Sequence, residues 1–161
     1  MSRWHNFYTD GYFHFCTATV NQWLPKLDDI AAQVLYEEWE RARKRFCVRL
    51  LAYVIMPEHI HMLLWSENGE SIKTFMQQTL SRCSKRLGGG GKLWKERLRV
   101  VCVIDPADVK VKLDYIHRNP LRRGLVENPE DWPHSSFGQV VLGLPSRGLQ
   151  CDPWPEGAVV P

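Results

Sequence analysis

The chain predicts an α+β fold, a ferredoxin-like sandwich (βαββαβ) with an additional C-terminal helix that carries a tyrosine. Three observations predict it. Short runs rich in aromatic and β-branched residues alternate with longer runs whose apolar residues recur every three or four positions. Their order is strand, helix, strand, strand, helix, strand, which is that of the split βαβ arrangement. A capping signature then opens one further helix. At 161 residues the chain fits one domain large enough to bury a core. We expect that domain over 1–138 and a weakly ordered tail over 139–161.

The elements follow in order. YFHFCTATV (12–20) alternates loosely and reads as a strand, ended by the turn-like NQWLP. From Lys26 to Arg45, Leu27, Ile30, Ala31, Val34, Leu35, Trp39 and Ala42 form one apolar face beneath a charged one, the pattern of an amphipathic helix. FCVRLLAYVI (46–55) and HIHMLLW (59–65) are strands that fold back on each other through the tight turn MPE. SENGES breaks the pattern. Helical spacing resumes from Ser71 to Leu87 with Ile72, Phe75, Met76, Thr79, Leu80 and Cys83, and GGGG (88–91) ends it as a flexible hinge. LRVVCVID (98–105) is the fourth strand. Asp105 as cap and Pro106 at the first helical position open the last helix, which carries Tyr115 and stops at Pro120. A turn-rich arm follows, in which Trp132 pins the C-terminal segment. Beyond Gly138 nothing is periodic.

Composition narrows the class. Hydrophobic residues make up 44% and charged residues 24% of the chain, which argues against global disorder. No apolar run approaches the roughly 20 residues of a membrane span, and MSRWHNFYTDGYFHF lacks the layout of a secretory signal. A cytoplasmic protein is expected. Cys16, Cys47, Cys83, Cys102 and Cys151 are scattered without CxxC spacing and read as buried free thiols. The formal charge of +3 is too small to identify a polyanionic partner. Local clustering says more: Arg82, Lys85, Arg86, Lys92, Lys95, Arg97 and Arg99 face the single acid Glu96, and Arg118, Arg122 and Arg123 follow. Such a cluster is either a phosphate-binding surface or a solvated helix face.

Two constellations carry the chemistry. On a strand, His59 and His61 project from one face about 7 Å apart at the backbone, so their imidazoles can converge on one ion while Ile60, Met62 and Leu64 anchor the other face. Two half-buried histidines satisfied by hydrogen bonds would give the same spacing. In DYIHRNP, Tyr115 and Asn119 stand four apart on one helical face, which lets a phenol and an amide oxygen approach the same site. A phenol with a pKa near 10 is a poor nucleophile at neutral pH, and a divalent cation that polarises a phosphate supplies what it lacks. Asn119 then becomes a third candidate ligand. The competing readings are a packed core tyrosine and an ordinary helix-terminal asparagine before proline.

YVIMPEHIHMLLW paired with LDYIHRNPLRRGLVENPEDWPHSSF resembles the single-tyrosine HUH transposases of the IS200-like group, especially their REP-associated tyrosine transposase branch. The likeness runs from about Tyr12 to Phe137 and includes KLWKERLR. The histidine, hydrophobic residue, histidine pattern matches His59, Ile60 and His61, and the family's tyrosine matches Tyr115. The third-ligand position falls at Asn119, where related members often carry glutamine. The resemblance implies a metal-dependent endonuclease and strand transferase on single-stranded DNA beside imperfect REP-like hairpins. It implies a 5′-phosphotyrosine intermediate, Mg²⁺ or Mn²⁺ as cofactor, and a cytoplasmic, nucleoid-associated location. It leaves open a monomer and a homodimer that exchanges the tyrosine helix.

For DNA contact the candidates are Arg82, Lys85, Arg86, Lys95, Arg97, Arg118, Arg122 and Arg123, with Trp94 as a platform for an unpaired base. Trp94 as a core residue is the equal alternative. Glu58 reads as a surface turn acid rather than a group that orients an imidazole. Two rivals remain: a binding-only regulator of single-stranded nucleic acid on the same scaffold, and a replication initiator or relaxase, for whose usual extra domains the chain has no room.

Overall fold

The computed structural model describes residues 7–23, 26–88 and 92–157. Its strands are β1 (Phe13–Thr19), β2 (Arg49–Ile55), β3 (His59–Trp65) and β4 (Arg99–Val103). Its helices are α1 (Asp29–Phe46), α2 (Gly69–Arg86), α3 (Pro106–Arg122) and the single turn α4 (Phe137–Val140), with 3-10 turns at Asn21–Trp23 and Pro129–Asp131. The predicted order of strands and helices is the observed one. Residues 24 and 25 of the predicted turn, 89–91 of the predicted hinge, the first six residues and 158–161 lie outside the described residues.

The strands form one antiparallel sheet in the order β2-β3-β1-β4, so each of the two crossovers skips one position. Helices cover both faces. Cys16, Ala18, Leu50, Tyr53, Ile55, Ile60, Met62 and Leu64 pack with Leu35 and Trp39 of α1 and with Ile72, Phe75 and Met76 of α2. Phe15, Leu51, Ala52, Val54 and Leu63 pack on the other face with Val109 and Ile116 of α3. This double burial explains why β2 reads as an unbroken apolar run. A register shift between Leu50 and Ala52 sends Leu51 and Ala52 to the same side. Fully burying Val109 and Ile116 contributes roughly 2 kcal/mol each, and this anchors the tyrosine helix to the sheet.

Local chemistry sets the boundaries. The Asp28 carboxylate accepts from the Ala31 amide at 2.9 Å, so α1 starts three residues later than the apolar spacing suggests. It ends at Cys47, which is left-handed at φ 54°, and β2 accordingly starts at Arg49 rather than at Phe46. Asn68 and Asp105 cap α2 and α3 in the same way, at 3.0 and 2.8 Å.

Two expectations are corrected. Pro120 does not stop α3, which runs through it to Arg122. The stop is Gly124 at φ +68°: its amide bonds to the Leu121 carbonyl at 2.9 Å and the Leu125 amide to the Pro120 carbonyl at 3.0 Å, a Schellman closure. Asn119 therefore sits inside the helix rather than at its end.

The segment expected to be a weakly ordered tail is packed across the sheet as far as it is described. β2 is an edge strand, and its outward backbone groups need partners. Residues 132–136 supply some of them: the Ile55 amide donates to the His134 carbonyl at 2.8 Å, and the Tyr53 amide to Ser136 Oγ at 2.9 Å. Asp152 supplies others, accepting from the Leu50 amide on its carboxylate and donating its own amide to the Leu50 carbonyl, both at 2.8 Å. Arg43 and Arg49 grip the carbonyls of Gln150, Pro153 and Trp154, and Cys151 is buried. The expected pin is present too, with Trp132 Nε1 donating to the Ile55 carbonyl at 2.9 Å. All five thiols are free. Cys16, Cys83 and Cys151 are buried as expected, whereas Cys47 is exposed and Cys102 half-buried.

Candidate active site

On the α3 face of the sheet, β1, β3, β4 and α3 enclose a pocket of about 520 Å³ that contains His59, His61, Tyr115 and Asn119. The strand period and the antiparallel register build it. Thr17 stands opposite His61 and Thr19 opposite His59, all four on the pocket side. The two imidazole centroids are 4.7 Å apart. α3 lies over them with Tyr115, whose ring centroid is 5.2 Å from that of His61 and 5.8 Å from that of Phe15. Tyr115 remains 38% exposed, so the phenol is braced on one side and open to solvent on another.

Both histidines are buried, and each has its Nδ1 engaged. His61 Nδ1 lies 2.8 Å from Thr17 Oγ1, and His59 Nδ1 lies 3.1 Å from a carboxylate oxygen of Glu58. A carboxylate can only accept, so the His59 proton sits on Nδ1 and Nε2 carries the lone pair. Burial lowers the pKa of both rings. For His61 the neighbouring His59, Arg99 and Lys112 add to it and bring the value to about 3; for His59 the carboxylate of Glu58 works against it. Neutral imidazole is the form that binds metals.

Asn119 completes the set. Its Oδ1 is buried and makes no hydrogen bond of regular geometry, although the Asn119 side chain approaches the His59 ring and favours its protonated form. An amide oxygen without a full hydrogen bond costs about 1–3 kcal/mol unless something binds it. No group of three histidine, cysteine or carboxylate side chains converges among the described residues, so an ion here would take two imidazole nitrogens and this oxygen. That donor set fits a divalent cation.

The basic candidates divide. Arg97 and Arg123 line the pocket, joined by Arg99 and Lys112, which were not among the expected DNA contacts. Lys112 Nζ sits 5.0 Å from the Phe15 centroid, and Phe15 stacks on His61 at 5.2 Å, so cation, phenyl ring and imidazole form one layer. The Arg122 guanidinium lies 5.3 Å from the Tyr115 centroid. Arg118 pairs with Asp114 on the outer surface of α3. Arg82, Lys85 and Arg86 belong to α2, on the opposite face of the sheet, and the structure does not bring them to the pocket. Arg82 and Arg86 both bond Glu38, at 2.6 and 3.0 Å. Lys95 is exposed outside the pocket, with its amide bonded to the Thr19 carbonyl. Trp94 is a packed residue, not an open platform: it is half-buried against the core, and Nε1 donates to the Leu80 carbonyl at 3.0 Å.

Glu58 corrects a further expectation. It is 5% exposed, accepts from His59 and forms an ion pair with Arg123. The acid immediately before the histidine pair was the available signal, but its burial comes from Arg123, which is remote in sequence.

No family model matches the chain. The REP-associated tyrosine transposase of Escherichia coli K12 is 24% identical over 154 residues, covering 96% of this chain and 91% of that protein. A Haemophilus influenzae Rd protein described under the same family name is 30% identical over 162 positions, covering 88% of each. The solved structure of a REP-associated tyrosine transposase bound to a REP hairpin shares the fold, with a TM-score of 0.80, 23% identity, and coverage of 98% of this chain and 96% of that one. At the level of class these relatives are transposases. The chain belongs to the REP-associated tyrosine transposase family. No helix of the described residues is long and apolar enough to cross a membrane.

Proposed function

We propose that this chain is a metal-dependent endonuclease and strand transferase for single-stranded DNA flanked by REP-type hairpins, acting at the nucleoid with Tyr115 as its nucleophile. The carrying observation is the convergence, within one chain, of the His59 and His61 rings, the buried Asn119 side chain and the Tyr115 ring. Mg²⁺ or Mn²⁺ on His59 Nε2, His61 Nε2 and Asn119 Oδ1 would polarise the scissile phosphate and stabilise charge on the leaving oxygen. The Tyr115 oxygen attacks phosphorus, the P–O3′ bond breaks, and the products are a 5′-phosphotyrosine and a 3′ end. The phenol proton is lost to solvent and the 3′ oxygen gains one. The phosphodiester energy is kept in the covalent link, so attack by a 3′-hydroxyl reverses the step and rejoins a strand. Arg97, Arg99 and Lys112 line the pocket and offset the charge of the DNA backbone. Phe15 and His61 both meet the phenol ring in T-shaped contacts, which restrict how that ring can turn.

The test is capture of a protein–DNA adduct on a denaturing gel, using single-stranded hairpins from the flanks of the gene with and without Mg²⁺. Tyr115→Phe should remove the adduct while leaving hairpin affinity within about twofold, since it deletes one hydroxyl and no charge. An adduct that survives the substitution rejects Tyr115. Binding without nicking of any hairpin by the unaltered protein would point instead to the binding-only regulator.

A further inference from the structure

The turn between β2 and β3 carries a carboxylate that the proposed chemistry does not use. Glu58 is buried, and its two identified partners come from different elements: the His59 ring beside it and Arg123 at the C-terminal cap of α3. Arg123 follows Asn119 by one turn and Tyr115 by two, on the same helix. The Schellman closure at Gly124 ends the helix directly after Arg123.

We infer that Glu58 is the positioning residue for His59, fixing its Nε2 toward the pocket, and that Arg123 acts through Glu58 as the clamp docking the tyrosine helix onto the histidine strand, rather than chiefly as a DNA contact. This rests on the metal-site reading above. A carboxylate that accepts from Nδ1 sets the tautomer and ring plane of a ligand imidazole and raises its basicity. A buried carboxylate also needs a countercharge, and here that charge comes from the helix bearing the nucleophile. Ligand orientation and helix docking are thus one arrangement, held by two bonds to a single side chain.

The two partners make opposite predictions for metal binding, which a merely structural role would not. Mn²⁺ affinity is measured without DNA, from the electron paramagnetic resonance signal of the free ion. Glu58→Gln removes the charge that supports His59 and should weaken Mn²⁺ about tenfold, at the lower end of effects seen for groups that orient metal ligands. Arg123→Met removes a cation beside the site and leaves the carboxylate in place, so it should tighten Mn²⁺ by about threefold, the size of one partly screened charge interaction. Both should slow adduct formation, the second with metal binding intact because the tyrosine helix is no longer clamped. Unchanged Mn²⁺ affinity in Glu58→Gln overturns the inference, and so does weakening by both variants. If Glu58→Gln does not fold, Arg123→Met decides alone: tighter Mn²⁺ supports the clamp, and unchanged or weaker Mn²⁺ rejects it. If the unaltered protein binds Mn²⁺ no better than His59→Ala does, the metal-site reading fails and the inference falls with it.

Discussion

Two basic regions of this chain look alike in sequence and differ in the fold. On α2, Arg82 and Arg86 converge on Glu38, whose carboxylate is buried and also meets Arg41 at 3.2 Å; Glu37 takes the second arm of Arg86 at 2.6 Å. Around the pocket, Arg97, Arg99 and Lys112 gather beside two neutral imidazoles. The first set of cations is neutralised by its own protein and locks α1 to α2. The second leaves net positive charge at a concave surface. Counting charges along a chain cannot distinguish these cases, because the deciding partners of Arg82 and Arg86 lie more than forty residues away.

The contrast can be broken or sharpened by experiment. The largest expected effect is on the pocket. Chelating divalent cations should reduce adduct formation to background on the denaturing gel, and readdition of Mg²⁺ or Mn²⁺ should restore it. Next, replacing both Arg99 and Lys112 (R99Q with K112M) should lower hairpin affinity about tenfold in a filter-binding assay. It should also flatten the salt dependence by about one unit of slope per cation removed. Uniform weakening with no change of slope would mean that these cations do not meet phosphate.

On the α2 side the expected effects are on stability. Glu38→Gln should cost about 2 kcal/mol in urea denaturation, the scale of hydrogen bonds to a charged group. Burial works to raise the Glu38 pKa, but the bonds from Arg82 and Arg86 outweigh it and hold the carboxyl below its ordinary value. Its contribution is therefore complete above the ordinary carboxylate range and disappears as pH falls through the lowered value. His117, on the buried side of α3 and 2.9 Å from Ser136 Oγ, adds a second pH dependence. Burial lowers its pKa to about 4, so the unfolded chain takes up a proton first as pH falls from 6.5 toward 4, and stability drops over that window. His117→Gln should flatten the curve by up to about 1.4 kcal/mol per pH unit there. The smallest effect is Arg82→Gln on hairpin affinity, expected within twofold. A tenfold loss would return α2 to the DNA-binding surface.

Much of the site was legible because it obeys short-range geometry. The i, i+2 spacing of His59 and His61 and the i, i+4 spacing of Tyr115 and Asn119 are fixed by strand and helix periods, so their faces followed directly. Thr17 could have been read as well, since it alternates with Thr19 on the strand that pairs with the histidines. Arg99 was visible only as a member of the basic cluster and Glu58 only as an acid beside the histidines, and Lys112 was not legible at all, because their places around the pocket arise from α3 crossing over the sheet. Pro120 misled because proline lacks a helical donor, yet near the end of a helix anchored by Ile116 the loss of one bond is tolerated. The last segment misled for a different reason. Strand-edge coverage by single residues such as Asp152 and Ser136 leaves no periodic trace.

That coverage has a consequence for how the protein behaves in company. Asp152 and the residues around it occupy one end of β2, so a chain cut after Gly138 would keep every side chain of the pocket but uncover the Leu50 amide and carbonyl at that end of the edge strand. Exposed groups on a strand edge recruit neighbouring molecules. Loss of solubility, visible as higher-order species on gel filtration, would then precede any loss of chemistry.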